Sequence, residues 1–318
     1  MKKQKTMVAQ VKEYVSYKRN LGFQLRIEAG QLLNFAKYAD KSGHAGPVTT
    51  ELILRWARLP DKASPLYQAR RVEVVRCFAK YQAIFFSKTE IPPSRILGPA
   101  HCRTEPYIYS EQQILALLKA CTQLTPVDGL RPRTYTTMFG LIACTGLRIS
   151  EALKLSRDDV DLANGVVLIA ETKFHKSRLV PLDPSASKAI NKYAKFRDKY
   201  HPISKSKMFF LSESGLSLPY STVKHNFKLL RENLGWCTKG KRPPRIQDMR
   251  HSFACRRLFL WYKQGVDINH AIYSLSTYLG HVKVTDTYWY LTGIPELFAV
   301  AGNKFEKYAL KKGNTLAM

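Results

Sequence analysis

Thr145-Gly146-Leu147-Arg148-Ile149-Ser150-Glu151 interrupts one helical pattern and starts another. Upstream, residues 133–144 form an apolar run that reads as a helix. Thr145-Gly146 breaks it, and the next helix carries Arg148, Glu151, Leu153 and Leu155. An arginine at such a restart, among apolar or small neighbours, is costly to bury unless an anion is fixed beside it. Glu151, three residues on, is one candidate for that anion. A phosphate is the other, because a guanidinium offers it two parallel hydrogen bonds and a helix N-terminus favours negative charge.

A second arginine repeats the pattern. Arg250 lies in Arg245-Ile246-Gln247-Asp248-Met249-Arg250-His251-Ser252-Phe253-Ala254, where a polar loop turns into an amphipathic helix. Two arginines can clamp both non-bridging oxygens of a phosphate, whose transfer passes through a state of added negative charge. Further on, Ser276-Thr277-Tyr278-Leu279-Gly280-His281 closes a helix at a glycine, and Thr285-Asp286-Thr287-Tyr288-Trp289-Tyr290 opens the next. With 17 tyrosines in the chain, Tyr288 and Tyr290 carry little information by themselves. No DxD, HExxH or clustered carboxylate stands out, so neither a metal nor another cofactor is expected.

Composition agrees with an anionic partner. The 51 Lys plus Arg outnumber 24 Asp plus Glu and leave a formal charge of +27 on 318 residues. Such a field favours a polyanion and makes nucleic acid the first partner to consider, ahead of a ribosome-associated or membrane-surface role. At 45% hydrophobic residues the chain can bury real cores, and its length suggests roughly two domains of ~100 to 200 residues. No run approaches the ~18 apolar residues of a membrane span, and the lysine-rich start lacks a signal-peptide pattern. A cytosolic protein is expected. Cys77, Cys102, Cys121, Cys144, Cys237 and Cys255 form no CxxC pair and read as reduced and mostly packed.

Residues 1–90 read as four helices: one with Val8, Val11 and Val15 ending near Leu21-Gly22, one with Leu32 to Ala39, a short third from Thr49 or Thr50, and a fourth over residues 64–87. In the fourth, Val72, Val75, Phe78, Ala79 and Phe86 make an apolar stripe, and Arg70, Arg71, Arg76 and Lys80 form a basic face. Charge on a helix is usually a solvated face; here the overall charge favours nucleic-acid contact. Residues 91–106 hold Pro92-Pro93, Gly98-Pro99 and Pro106 with Arg95, His101 and Arg103, which reads as a basic linker. Ser110-Glu111-Gln112-Gln113 is a capping-box spelling that opens the second domain. Val166 to Ile169 and Leu179 to Leu182 read as a hairpin, the one convincing sheet. Further helices are expected over residues 221–234, 249–264, 268–279, 285–290 and 295–310.

The two arginine motifs, Leu279-Gly280-His281 and a tyrosine nine residues later resemble the tyrosine recombinase (phage integrase) family over nearly the whole chain. The resemblance implies a mainly α fold with a small β-hairpin (α+β). It places a helical core-binding domain at 1–90, the linker at 91–106 and a catalytic domain at 107–318. It implies a site-specific DNA recombinase that cleaves through a 3′-phosphotyrosine, for integration, excision or transposition of a mobile element, without ATP or metal. The family spacing selects Tyr290 over Tyr288 as nucleophile, with Arg148, Arg250 and His281 stabilising the transition state. The family's hairpin lysine, five residues before the Arg178-Leu179-Val180-Pro181-Leu182 strand, falls at Lys173 as general acid, with Lys176 the nearby alternative and a further DNA contact. Gln247 departs from the family, which usually has a histidine or lysine there to take a proton; glutamine can only position. His251, adjacent to Arg250 on a helix, is expected to face elsewhere.

Partners implied by the resemblance are double-stranded DNA and a tetramer on two DNA sites, with partner recombinases where needed. The apolar set Ile294, Leu297, Phe298, Val300, Phe305 and Leu310 would then dock on a neighbouring protomer or on its own domain. With so short a stretch before the first helix, no additional arm-binding domain is expected. Two alternatives remain: a DNA-binding architectural or regulatory protein with a decayed site, and a type IB-like topoisomerase.

Overall fold

The computed structural model describes residues 5–102, 105–170, 177–237 and 242–291. Two compact units divide the chain, Met1–Thr104 and Glu105–Met318.

The first unit is helical: α1 (Met7–Asn20), α2 (Glu28–Lys41), α3 (Thr50–Arg58) and α4 (Pro65–Gln82). Side chains satisfy the exposed amides at their starts, with Thr6, Thr49 and Ser64 as N-caps and Pro65 in the first turn of α4. Asp40, near the end of α2, accepts the Met7 and Val8 amides at 2.8 and 3.1 Å and so fixes α1 against α2. Val11, Leu32, Phe35, Leu52, Ile53, Trp56, Val75 and Phe78 fill the core. A buried polar link closes it, in which Gln82 donates to Gln10 Oε1 at 2.7 Å and accepts the Val48 amide at 2.7 Å.

Helix α4 stops at Gln82, short of the expected residue 87. Phe86, expected on the apolar stripe, is 41% exposed. Arg71 does not belong to the basic face. It is buried, its guanidinium lies 3.7 Å from the Trp56 ring centroid, and it donates to Trp56 O at 2.7 Å. Sequence spacing put it one residue from exposed Arg70, which on a helix is a rotation of about 100° and hence another face. Arg70, Lys80 and Arg95 are exposed and Arg76 is half-buried. Arg103 lies outside the described residues. The proline-containing segment is held to this unit, since Arg70 Nε donates to Ala100 O and Arg76 Nε to Pro92 O, both at 2.9 Å. Four cysteines, Cys77, Cys102, Cys144 and Cys237, are exposed rather than packed.

The second unit is built around α6 (Leu130–Thr145), whose Leu130, Tyr135, Met138, Phe139, Leu141 and Ile142 are buried. Helix α5 (Glu111–Cys121) precedes it and opens with the capping box of Ser110 and Gln113. After α7 (Ile149–Lys154) come β1 (Val160–Asp161), β2 (Val166–Ile169) and β3 (Arg178–Pro181). They form one antiparallel sheet in that order, with Val167 opposite Val180 and Ile169 opposite Arg178. Helices α8 (Pro184–Tyr200), α9 (Tyr220–Asn233), α10 (Ile246–Lys263), α11 (Ile268–Leu279) and α12 (Thr285–Tyr288) complete the described part. The expected helix at 295–310 lies outside the described residues.

The helix α8 was not expected from sequence, although Asp183-Pro184 announces it: Asp183 accepts the Ser185 amide at 2.9 Å and proline occupies the first turn. A satellite core of Ala254, Cys255, Leu258, Leu275, Leu279 and Tyr290 sits apart from the main one.

Two helices end in the same way. Gly146 after α6 and Gly280 after α11 both have φ of 68°, the left-handed conformation that L side chains resist. A Cβ on Gly146 would also stand 2.5 Å from Phe253 Cδ1 and 3.1 Å from Leu279 Cδ2. Gly146→Ala is therefore expected to lose at least the about 1–2 kcal/mol of a left-handed residue, read from the urea unfolding midpoint. An unchanged midpoint would show that the turn tolerates another conformation.

Candidate active site

Arg250, in the second turn of α10, is 1% exposed and pairs with no carboxylate among the described residues. Its Nη1 donates to Gly146 O and its Nη2 to Leu279 O, each at 2.7 Å, so the guanidinium joins the ends of α6 and α11. Helix C-termini expose unpaired carbonyls and carry partial negative charge, which a cation satisfies. Burial, followed by the nearby Arg148 charge, brings the Arg250 pKa down to about 10, and it remains charged at neutral pH.

Arg148 is the residue just before α7. Glu151, in the first turn of that helix, accepts its amide at 3.0 Å and its Nη1 at 2.7 Å. The same carboxylate receives Arg178 from β3 through Nη1 and Nη2 at 3.2 and 2.8 Å. Burial would raise the Glu151 pKa, but Arg178 and then Arg148 overcome this and hold it below the usual range. Both readings of Arg148 are thus compatible: Glu151 pairs with it, and its side chain stays 30% exposed while that of Glu151 is 7% exposed. Two arginines share one carboxylate and Arg250 adds a third positive charge nearby, a surplus that suits an added anion.

The turn after α11 presents the histidine. Gly280 N donates to Thr277 O and His281 N to Ser276 O, both at 3.0 Å, which is the paired closure that a left-handed glycine permits. His281 Nε2 lies 3.0 Å from Arg250 Nη2 and 3.5 Å from Tyr290 Oη, and its Nδ1 is 2.7 Å from Thr287 Oγ1. Tyr290 is 4% exposed, whereas Tyr288 is 42% exposed. The structure therefore brings together Arg148, Arg250, His281 and Tyr290 and leaves Tyr288 outside.

The expectation for His251 fails. Its ring meets that of Tyr290 edge-on with centroids 5.2 Å apart, and the His281 ring stacks on the same tyrosine at 5.8 Å. Rotation on α10 separates His251 from Arg250, but Tyr290, two residues after α12, packs in one core with Ala254, Cys255 and Leu258 of α10 and so meets the His251 ring. Gln247, one residue into α10, is half-buried and has no side-chain hydrogen bond among the described residues. Lys173 and Lys176 lie outside the described residues. Among the described residues no group of three or more His, Cys, Asp or Glu is placed to hold a metal, and no helix is long and apolar enough to cross a membrane. Arg178 and Thr287 were not singled out for a role from sequence. A basic residue opening a strand and a threonine two residues past a helix start are too common to stand out.

A profile of the phage integrase family matches residues 108–293. The chain belongs to that family. It is 39% identical over 302 residues to the y4rB protein of Sinorhizobium fredii, named among integrase/recombinase proteins, covering 93% of this chain and 96% of that one. Over 221 residues it is 26% identical to the tyrosine recombinase XerC of Chlamydia caviae, covering 69% of this chain and 64% of that protein. Among solved structures, the Tn1549 transposon integrase in complex with transposon right end DNA shares the fold with a TM-score of 0.69 at 16% identity, covering 96% of this chain and 100% of that one. XerH bound to a palindromic difH substrate gives 0.66 at 18% identity, covering 94% and 85%. As a phage integrase family member this protein is a tyrosine recombinase, an enzyme of site-specific DNA strand transfer.

Burial is the main reason that the recombinase holds His251 and His281 down to about 4; the arginines Arg245 and Arg250 add to it at His251, and Arg250 and Arg148 at His281. Both rings are neutral in the folded chain at neutral pH, and unfolding returns them to the ordinary 6.5. From 6.5 down to about 4 the unfolded chain binds more protons, so these two groups' contribution is full above 6.5 and is lost as pH falls. The melting temperature should drop between about pH 7 and about pH 5, and the drop should be smaller in His251→Gln. An equal drop in the variant would remove His251 as a source.

Proposed function

We propose that this recombinase cuts and rejoins duplex DNA for the integration, excision or transposition of a mobile element, with Tyr290 as nucleophile. The observation that carries the proposal is the placement of a buried tyrosine hydroxyl 3.5 Å from His281 Nε2, beside a cluster in which Arg148, Arg178 and Arg250 outnumber Glu151. In this reading Tyr290 attacks the scissile phosphate in line and forms a 3′-phosphotyrosine. Arg148 and Arg250 hold the non-bridging oxygens, whose charge grows in the transition state. Lys173 protonates the leaving 5′ oxygen, and Gln247 positions the phosphate. The bond energy is kept in the phosphotyrosine, so a second 5′ hydroxyl can reverse the step on another strand.

Duplex DNA as the partner is supported by the net charge of +27 and by the likeness to the Tn1549 integrase on transposon DNA and XerH on difH. The first unit would act as the core-binding domain, adding phosphate contacts through Arg70, Lys80 and Arg95. Assembly would be a tetramer on two sites, alone or with partner recombinases.

A nicked suicide duplex from the boundary of the chain's own element, incubated without metal, should give a covalent protein–DNA band. The band should persist in Tyr290-containing Tyr288→Phe and vanish in Tyr290→Phe. Specific binding with no band in any protein would favour a decayed binder, and relaxation of plasmids lacking the site would favour a topoisomerase.

Salt dependence tests the basic face separately. Each phosphate contact contributes about 0.9 to the slope of log affinity against log salt. Lys80→Met should lower the slope by about that amount, while Arg71→Met should leave the slope unchanged and lower the melting temperature. A reduced slope in Arg71→Met would return that residue to the DNA-facing set.

A further inference from the structure

Metal-free attack by a tyrosine requires somewhere for the phenolic proton to go, and Gln247 cannot take it. The hydrogen bonds around His281 decide which of its nitrogens can. A guanidinium has donors only, so Arg250 Nη2, 3.0 Å away, makes Nε2 an acceptor. The neutral ring then carries its hydrogen on Nδ1, where Thr287 Oγ1 accepts it at 2.7 Å. Thr287 is completely buried, so water does not compete for that bond. Tyr290 Oη faces the unprotonated nitrogen at 3.5 Å. His251 contacts the tyrosine ring, but no hydrogen bond joins it to the hydroxyl, and its Nδ1 is buried without a partner.

We propose that Nε2 of His281 receives the proton of Tyr290, and that Thr287 is a positioning residue that keeps this nitrogen unprotonated and turned to the nucleophile beforehand. The inference rests on the strand-cleavage reading above. As Tyr290 Oη bonds to phosphorus, its O–H bond breaks and the proton passes to Nε2. The bond from phosphorus to the 5′ oxygen breaks with its electron pair, and that oxygen takes a proton from a general acid, the hairpin lysine or water. His281 is then an imidazolium with a donor on each nitrogen: Nδ1–H stays on Thr287, and Nε2–H can serve a non-bridging oxygen. Religation returns the proton to Tyr290.

The groups around the ring make its proton affinity depend on the substrate. Burial first, then Arg250, Arg148 and Arg178, disfavour a proton on His281, and Asp286 favours one. A bound phosphodiester places an anion among those arginines and offsets part of their field. Arg250 Nη2 keeps its bond to Leu279 O while its contact with Nε2 gives way to the phosphate.

The full-length protein carrying Thr287→Val or Thr287→Ser tests this on the suicide duplex. Valine keeps the shape and removes the acceptor. It should slow covalent-complex formation about 10- to 100-fold, part of the roughly 10²–10⁴-fold that a positioned proton acceptor supplies, with DNA affinity unchanged. Serine should restore the rate. The valine deficit should shrink as pH rises and phenolate becomes more abundant. A valine variant as fast as wild type, or a deficit equal at every pH and shared by serine, overturns the proposal.

Histidine 15N spectra of the DNA-free wild type, with the signal assigned by its loss in His281→Gln, give a second reading that needs no activity. A neutral ring with hydrogen on Nδ1 at neutral pH supports the inference, and the opposite tautomer or an imidazolium overturns it. Failure of wild type to form any covalent complex would overturn the strand-cleavage reading and the step with it. A normal wild-type band with the wrong tautomer would overturn the step alone.

Discussion

A guanidinium with 1% exposure, paired with no carboxylate among the described residues, joins the ends of two helices, and the catalytic unit is arranged around that contact. Burying a cation without a counter-ion is expensive. Arg250 offsets the expense with two carbonyls that would themselves be unpaired, one at the end of α6 and one at the end of α11. Gly146 and Gly280 turn the chain left-handed at those ends, which is what lets the carbonyls converge on one side chain. The same arginine contacts His281, so the electrostatics of the reacting centre and the capping of the fold are a single set of hydrogen bonds. A change at either glycine reaches the chemistry through Arg250 without touching substrate.

Glu151 is the second junction. It takes Arg148 with one oxygen and Arg178 with both, and thereby ties the start of α7 to β3. Arg178 also donates Nε to Tyr278 O at 2.8 Å, and a Cβ on Gly280 would come within 2.9 Å of its Nη1. Glycine at 280 therefore serves the turn and makes room for the arginine. One carboxylate cannot neutralise three guanidiniums, and the residual charge is directed to Arg148, the most open of them, with 30% side-chain exposure against 12% for Arg178.

The features readable from sequence are those whose cause is local. Capping at Ser110, the glycine stops at 146 and 280 and the apolar runs of the hairpin strands are each set by a few neighbouring residues, and the structure has them in place. What escaped depends on contacts between distant segments. Arg71 looked like its neighbour Arg70 until the Trp56 ring from α3 claimed it. His251 was assigned away from the site because only its rotation on α10 could be reckoned, and the approach of α12 could not. The missed α8 is a different case, since its capping signal at Asp183-Pro184 was local and legible.

Tyr290 shows why the nucleophile's placement is tertiary. Helix α12 has four residues, too few to be stable alone, because the first helical turn is the costly one. The tyrosine is instead held by a small core of its own, with Ala254, Cys255 and Leu258 of α10 and Leu275 and Leu279 of α11, and by contacts with two histidine rings. This satellite is separate from the main core around α6. A small cluster can open at lower free energy than the domain as a whole. The fold can therefore let the segment bearing the tyrosine shift while Arg250 stays tied to the ends of α6 and α11 and Arg148 to Glu151. Preorganised charge and an adjustable nucleophile follow from dividing the apolar residues between two cores.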